Sequence, residues 1–234
     1  NGFPDWSFMA LFLVGAFVMR AAGCTVNDLA DRNFDRVVAR TANRPIASGQ
    51  LTVFHATIFL VALLMIGLAI LLQFNTITIC LGVASLLLVA IYPFMKRFTY
   101  WPQAFLGLTF NWGSLMGWTT ISGELNAPAL WLYAAGVCWT LGYDTIYAHQ
   151  DKTDDLLVGV KSTALKFGEH TLIWLILFYC ATIILLGMIG VLMDLAWPYF
   201  VGLSVGAGHF LWQLLTVNLD IPVSCLKVFK SNRD

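Results

Sequence analysis

Seven apolar runs separated by short polar connections constrain this chain more than any other feature: residues 6–26, 53–72, 76–95, 101–121, 128–149, 171–193 and 197–217. Each carries about the 20 residues that a helix needs to cross a hydrocarbon core of roughly 30 Å. A backbone inside lipid has to satisfy its own hydrogen bonds, so long runs without strict alternation fold as helices and not as a barrel. The composition agrees, with 59% hydrophobic and 11% charged residues where soluble domains hold about 25% charged. The expected fold is an all-α, polytopic transmembrane bundle of seven spans, a single membrane-embedded domain over residues 1–234 whose partner is the lipid bilayer. No nucleic acid and no protein partner are expected.

Net charge is zero, but the charges are not evenly placed. Twelve of the 13 Lys and Arg residues fall in the connections 27–52, 96–100 and 150–170 and in the tail from Asn218. The last one, Arg20, lies inside the first span near that same side, and the alternate connections have none. That asymmetry predicts a cytoplasmic location for the basic connections and the tail. The five cysteines show no metal-ligand spacing and read as packing residues. The chain opens on Asn and closes on a basic, loop-like segment, so a piece of a longer protein, cut at both ends, is expected.

One connection begins NDLADRNFDRVVARTANRP, residues 27–45. If the first helix continues past the membrane surface, Asn27, Asp28, Asp31 and Asp35 fall within an arc of about 100°, and Arg20 lies on the same arc. At the end of the fifth span Asp144, Asp151 and Asp155 fall within about 40° of one another on a continuous helix. Stacked carboxylates repel and are costly near lipid unless neutralised. Donor sets of oxygen without sulfur suit Mg²⁺, which takes one or two carboxylates and completes its shell with water and phosphate oxygens. Two such clusters facing each other would hold a diphosphate, Asn27 helping to position the metal-bound oxygens. A solvated, salt-bridged helix end is the competing reading. Tyr92 and Lys96 in YPFMKR, with Arg20, would supply the donors and positive charge that a departing diphosphate needs. Lys161 and the arginines of the first connection stand nearby in sequence.

A diphosphate at the membrane face implies an otherwise apolar substrate. Phe105, Phe110, Trp112, Trp118, Trp139 and Tyr143 are aromatic candidates for stabilising a cation, with packing the alternative for each. Asn111, polar within the fourth span, either touches substrate or bonds a neighbouring helix.

The motifs N27-D28-x-x-D31-x-x-x-D35 and D151-x-x-x-D155 resemble the two aspartate motifs of the UbiA-type intramembrane prenyltransferases, and Tyr92-x-x-x-Lys96 is similar to that family's diphosphate-contacting motif. The strings MRAAGCTVND, RTANRPIASG, YPFMKR and YDTIYAHQDKTDDLLVGVKSTALKFG look like those of bacterial 4-hydroxybenzoate polyprenyltransferases. The resemblance implies a nine-helix fold around a central cavity, of which the seven spans are helices two to eight. It also implies Mg²⁺-dependent transfer of a polyprenyl group from polyprenyl diphosphate to the ring carbon ortho to the hydroxyl of 4-hydroxybenzoate, a step of ubiquinone synthesis. Asp31, Asp35, Asp151, Asp155 and Lys96 would be catalytic, with Asn27 and Asp28 added to the four aspartates as metal ligands. Arg20, Tyr92 and Lys96 would bind the diphosphate, and Arg40 or Arg44 the acceptor's carboxylate. The location implied is a bacterial inner membrane with the active site facing the cytoplasm. The same chemistry on dihydroxynaphthoate, homogentisate or a haem is the alternative acceptor reading. A divalent-cation transporter is the alternative of another class, disfavoured because the ionisable residues avoid the span middles.

Overall fold

The computed structural model describes residues 5–37 and 41–233. Eleven α-helices follow in order: α1 Trp6–Asp35, α2 Val53–Leu71, α3 Thr76–Phe98, α4 Pro102–Phe110, α5 Trp112–Ser122, α6 Ala127–Gln150, α7 Lys152–Val158, α8 Thr163–Phe167, α9 Thr171–Leu192, α10 Trp197–Thr216 and α11 Pro222–Lys230, with a 3-10 turn at Gly168–His170. No strand occurs among the described residues. This is a helical membrane bundle. The count of seven spans is not reproduced: among the described residues, α1, α2, α3 and the run Thr163–Leu192 are the four helical segments long and apolar enough to cross. The fourth apolar run is broken at Asn111 into α4 and α5, and α6 dilutes its length with Thr140, Asp144, Thr145 and His149.

The chain divides into two compact units, Asn1–Phe94 with Met116–Glu124, and Met95–Leu115 with Leu125–Asp234. In the first, α1 and α2 approach closely enough that a Cβ at Gly67 would lie 2.8 Å from the Met19 sulfur. Phe12 and Phe8 pack on Phe74 at ring distances of 4.9 and 5.9 Å. The start of α3 is fixed by Asn75, whose Oδ1 accepts the Thr78 N–H (2.9 Å) while its Nδ2 donates to the Thr119 carbonyl (2.7 Å). Outward-facing Phe54, Ile58, Phe59, Val61 and Met65 of α2 are exposed, which a lipid-facing helix tolerates and a water-facing one does not.

In the second unit α6 is the central element and buries Ala135, Leu141, Gly142, Thr145, Ile146 and His149. A Cβ at Gly142 would overlap the Tyr179 ring of α9, so glycine sets the α6–α9 approach. The segment from Asn218, expected to be loop-like, instead folds as α11 and packs along α6. Its apolar stripe buries Cys225 and Val228 against Ile146, Leu175 and Tyr179. Phe229 sits 4.5 Å from the Tyr147 ring and 5.8 Å from that of Tyr143. Trp139, near the midpoint of α6, donates from Nε1 to Asn232 Oδ1 at 3.0 Å. α11 therefore runs antiparallel to α6 from its C-terminal end to its middle, with Lys227 and Lys230 outward.

Candidate functional site

The 30 residues of α1 make a helix about 45 Å long, longer than the roughly 30 Å core, so its last turns project beyond the membrane with Asn27, Asp28, Asp31 and Asp35 on them. Asp31 and Asp35 are only 2% and 7% exposed, and Asn27 and Asp28 are half-buried. The chain then folds back. Thr41 Oγ1 donates to the Asp35 carbonyl (3.2 Å), the Arg44 N–H to Thr41 O (2.9 Å) and the Ser48 N–H to Arg44 O (2.8 Å). Ile46 and Ala47 are buried anchors, and Arg36 Nε donates to the Ala47 carbonyl at 3.0 Å. Gly49 takes φ +83°, a left-handed conformation that favours glycine.

This turn returns Arg44 to the helix it left. One nitrogen, Arg44 Nη1, donates to Asp28 Oδ1 at 2.9 Å and to Asp35 Oδ2 at 3.1 Å. Arg44 thus stands with the first carboxylate cluster. Arg40 lies outside the described residues. Arg20 is exposed on α1, and Arg32 donates to its own helix at Leu29 O. The Asp28 carboxyl is pushed above the usual carboxylate range, first by burial and then by Asp35 and Asp31, against the lowering effect of Arg44. These oxygens suit a hard divalent cation. No three His, Cys, Asp or Glu side chains converge among the described residues, so a cation here would need oxygens from a substrate or water as well, which is the habit of Mg²⁺.

The second cluster lies in the other unit. α6 ends at Gln150, Asp151 takes φ −102° and ψ 7°, and α7 begins at Lys152. The three-aspartate stripe assumed one continuous helix and does not survive this break. Asp151 and Asp155 stay one turn apart, with the Asp155 N–H on Asp151 O at 2.8 Å, while Asp144 remains behind on α6.

α3 continues through Pro93 to Phe98 and carries both Tyr92 and Lys96, which are half-buried. The Lys161 N–H donates to Lys96 O at 2.8 Å and its Nζ to Phe98 O at 3.2 Å, with the ammonium 5.4 Å from the Tyr100 ring. Lys161 therefore clamps the C-terminal end of α3, where its charge meets the negative end of the helix dipole. Three residues to which the sequence reading gave no role lock the same loop: Gln103 Oε1 accepts the Thr163 N–H at 3.0 Å, and Thr145 and Thr163 share a 2.8 Å hydroxyl contact. Thr145 and Thr163 fall in the string YDTIYAHQDKTDDLLVGVKSTALKFG, and Gln103 carried no signal.

Asn111 bonds a neighbouring helix: its Nδ2 donates to Gly107 O and to Thr140 Oγ1, both at 2.8 Å. Trp112 packs edge-on to Tyr133 at 5.7 Å, and Trp139 and Tyr143 lie against the segment carrying Phe229 and Asn232. An apolar groove of about 710 Å³, lined by Trp6, Phe8, Met9, Phe12 and Gly117 among others, lies at the opposite end of α1 from the carboxylates.

Known proteins place this architecture. The chain is 54% identical over 232 residues to the mitochondrial 4-hydroxybenzoate polyprenyltransferase of Arabidopsis thaliana, covering 98% of this chain and 57% of that protein. Against the human mitochondrial 4-hydroxybenzoate polyprenyltransferase the identity is 50%, covering 99% and 62%. The chain thus spans less than two thirds of the length of these curated relatives. Its fold matches the apo structure of a UbiA homologue from Aeropyrum pernix K1, at TM-score 0.80 and 21% identity, over 99% of this chain and 91% of that one. It also matches a UbiA homologue from Archaeoglobus fulgidus bound to GPP and Mg²⁺, at TM-score 0.77 and 18% identity, over 96% and 83%. The expectation of a bacterial inner membrane is overturned, because these half-identical relatives are mitochondrial proteins of a plant and an animal. A family model for UbiA prenyltransferases matches residues 1–233, and with the two aspartate motifs at the helix ends described above, the chain belongs to the UbiA prenyltransferase family.

Proposed function

We propose that this protein transfers a polyprenyl group from polyprenyl diphosphate to the ring carbon ortho to the hydroxyl of 4-hydroxybenzoate, in a mitochondrial membrane and in the service of ubiquinone synthesis. The observation that carries the reading is the first cluster: three carboxylates on the projecting end of an apolar helix, two of them buried, in a chain half-identical to enzymes of that name. Asn27, Asp28, Asp31 and Asp35 are the Mg²⁺ ligands of one unit, and Asp151 and Asp155 those of the other. The metal, when bound, draws charge from the diphosphate as it departs.

The chain's own residues do the rest. Lys96 neutralises the leaving group, Tyr92 donates a hydrogen bond to it, and Arg20 adds positive charge on the face of Asn27. The allylic C–O bond ionises, the diphosphate takes the electron pair, and the ring attacks the resulting cation. Arg44 keeps Asp28 and Asp35 apart and oriented through its shared nitrogen.

The test uses membranes carrying the full-length protein, labelled polyprenyl diphosphate and 4-hydroxybenzoate, with and without Mg²⁺. A Mg²⁺-dependent 3-polyprenyl-4-hydroxybenzoate is expected. Product with another aromatic acceptor alone would overturn the acceptor, and unchanged transfer by Asp31→Ala, Asp155→Ala protein would overturn the metal-site assignment.

A further inference from the structure

The C-terminal half of α6 is rich in polar side chains, and several of its hydroxyls and one nitrogen of its imidazole are engaged. Thr140 Oγ1 accepts from Asn111 Nδ2 at 2.8 Å, Tyr143 bonds Thr140, Thr145 meets the Thr163 hydroxyl at 2.8 Å, and His149 Nε2 lies 3.0 Å from Thr171 Oγ1. Asp144 sits among them and differs. Its carboxylate makes no hydrogen bond or ion pair among the described residues, and the side chain is largely buried. It lies six residues before the end of α6 at Gln150, about 9 Å back along the helix axis from that end. A carboxylate at that depth without a partner costs several kcal/mol. A substrate that brings an O–H donor to it removes that cost.

We propose that Asp144 receives the phenolic hydroxyl of the aromatic acceptor, accepting its hydrogen bond on binding and its proton as the ring attacks. This rests on the phenol-prenylating reading above. The balance is complete without an added reagent. The ring carbon ortho to the hydroxyl forms the new bond to C1 of the prenyl chain as the C1–O bond breaks and its electron pair leaves with the diphosphate. The hydroxyl proton passes to the Asp144 carboxylate, leaving a neutral cyclohexadienone. Loss of the proton from the substituted ring carbon to water or diphosphate restores the aromatic ring as Asp144 returns its proton to the oxygen. The same charge sets orientation, because Asp144 attracts the hydroxyl end of a hydroxybenzoate and repels its carboxylate end.

The experiment compares full-length wild type, Asp144→Asn and Asp144→Glu in membranes. It uses 4-hydroxybenzoate and a ring-fluorinated analogue whose hydroxyl is already ionised at the assay pH. For Asp144→Asn, kcat with 4-hydroxybenzoate is expected to fall about 100-fold or more, with KM for polyprenyl diphosphate within about twofold. The loss is expected to shrink at least tenfold with the ionised acceptor, and Asp144→Glu to recover at least tenfold over Asp144→Asn. The ratio between the two acceptors is measured within one variant, so it does not depend on how much protein folds. An equal loss with both acceptors, or an Asp144→Asn rate above half of wild type, overturns the proposal. Wild type that makes no product from either acceptor overturns the underlying reading instead.

Discussion

Replacing Arg44 by Ala removes one nitrogen that serves two carboxylates, and the geometry sets the size of the effect. Asp28 Oδ1 and Asp35 Oδ2 lie 2.9 and 3.1 Å from Nη1, so they are at most about 6 Å apart. Two charges at that separation repel by about 3 kcal/mol at an effective dielectric of 20. The lost charge-assisted bonds add about 1.5–3 kcal/mol each in a buried setting, but the Arg44 side chain is 36% exposed, which cuts that contribution substantially. A net loss of about 2–3 kcal/mol is expected, and about 2–4 °C of thermal midpoint per kcal/mol for a chain of this size. The assay is thermal unfolding in detergent with and without Mg²⁺. If the cluster binds Mg²⁺, the ion does for the carboxylates in the variant what the guanidinium does in the wild type. The Mg²⁺-induced rise in midpoint is then larger in Arg44→Ala than in wild type, and most of the loss is recovered. Equal destabilisation with and without Mg²⁺ would refute the reasoning. So would an unchanged midpoint.

Asp28, held above the usual carboxylate range chiefly by burial, keeps its proton to a higher pH than an ordinary aspartate. Its own contribution to folding is present in acid and lost as pH rises through the raised pKa, whereas Mg²⁺ binding needs the carboxylate and weakens as pH falls. The acid limb of kcat/KM is therefore expected to start above the ordinary carboxylate range and to move to lower pH in Asp28→Asn; an unmoved limb refutes this. Gly142→Ala, which forces a Cβ into the Tyr179 ring, is expected to lower stability by about 1–3 kcal/mol, read as a thermal midpoint. A cysteine introduced by Asn232→Cys is expected to resist an aqueous maleimide that labels Asn218→Cys, because Asn232 is bonded to Trp139 and Gln213. Equal labelling would undo the docking of α11 along α6.

What was legible in the sequence followed from periodicity and composition. Long apolar runs gave a helical membrane bundle, and the N-D-x-x-D-x-x-x-D spacing gave the carboxylates of a helix that continues to Asp35. Periodicity fails where a helix stops being one rod. Asn111 reads as a polar residue inside a span, yet it ends α4 by bonding Gly107 and Thr140. Asp151 leaves the helical conformation and separates Asp155 from Asp144. Neither site holds a proline or an obligatory turn, so local propensity carried no signal. The tail from Asn218 misled for a related reason. Lys227, Lys230 and Arg233 suggested an aqueous segment, but the lysines lie outward while Cys225, Val228 and Phe229 make an apolar stripe that fits α6.

The arginine-rich connection shows the limit most clearly. A helical wheel places Asp28 and Asp35 on one face but says nothing of where a chain goes after its helix ends. Arg32, Arg36 and Arg44 are equivalent in a charge count, yet one bonds its own helix, one a loop carbonyl, and the third the two aspartates from 16 and 9 residues away. That return depends on buried Ile46 and Ala47 and on the left-handed Gly49, three residues with no charge at all. The salt-bridged helix end and the metal site, set against each other as alternative readings of the same string, then share one geometry. A cation that satisfies Asp28 and Asp35 is required in either case, and a guanidinium and Mg²⁺ differ in that only the metal also binds diphosphate oxygens. Competition between the two, and not the presence of the salt bridge, is therefore what distinguishes a reaction site from a solvated helix end.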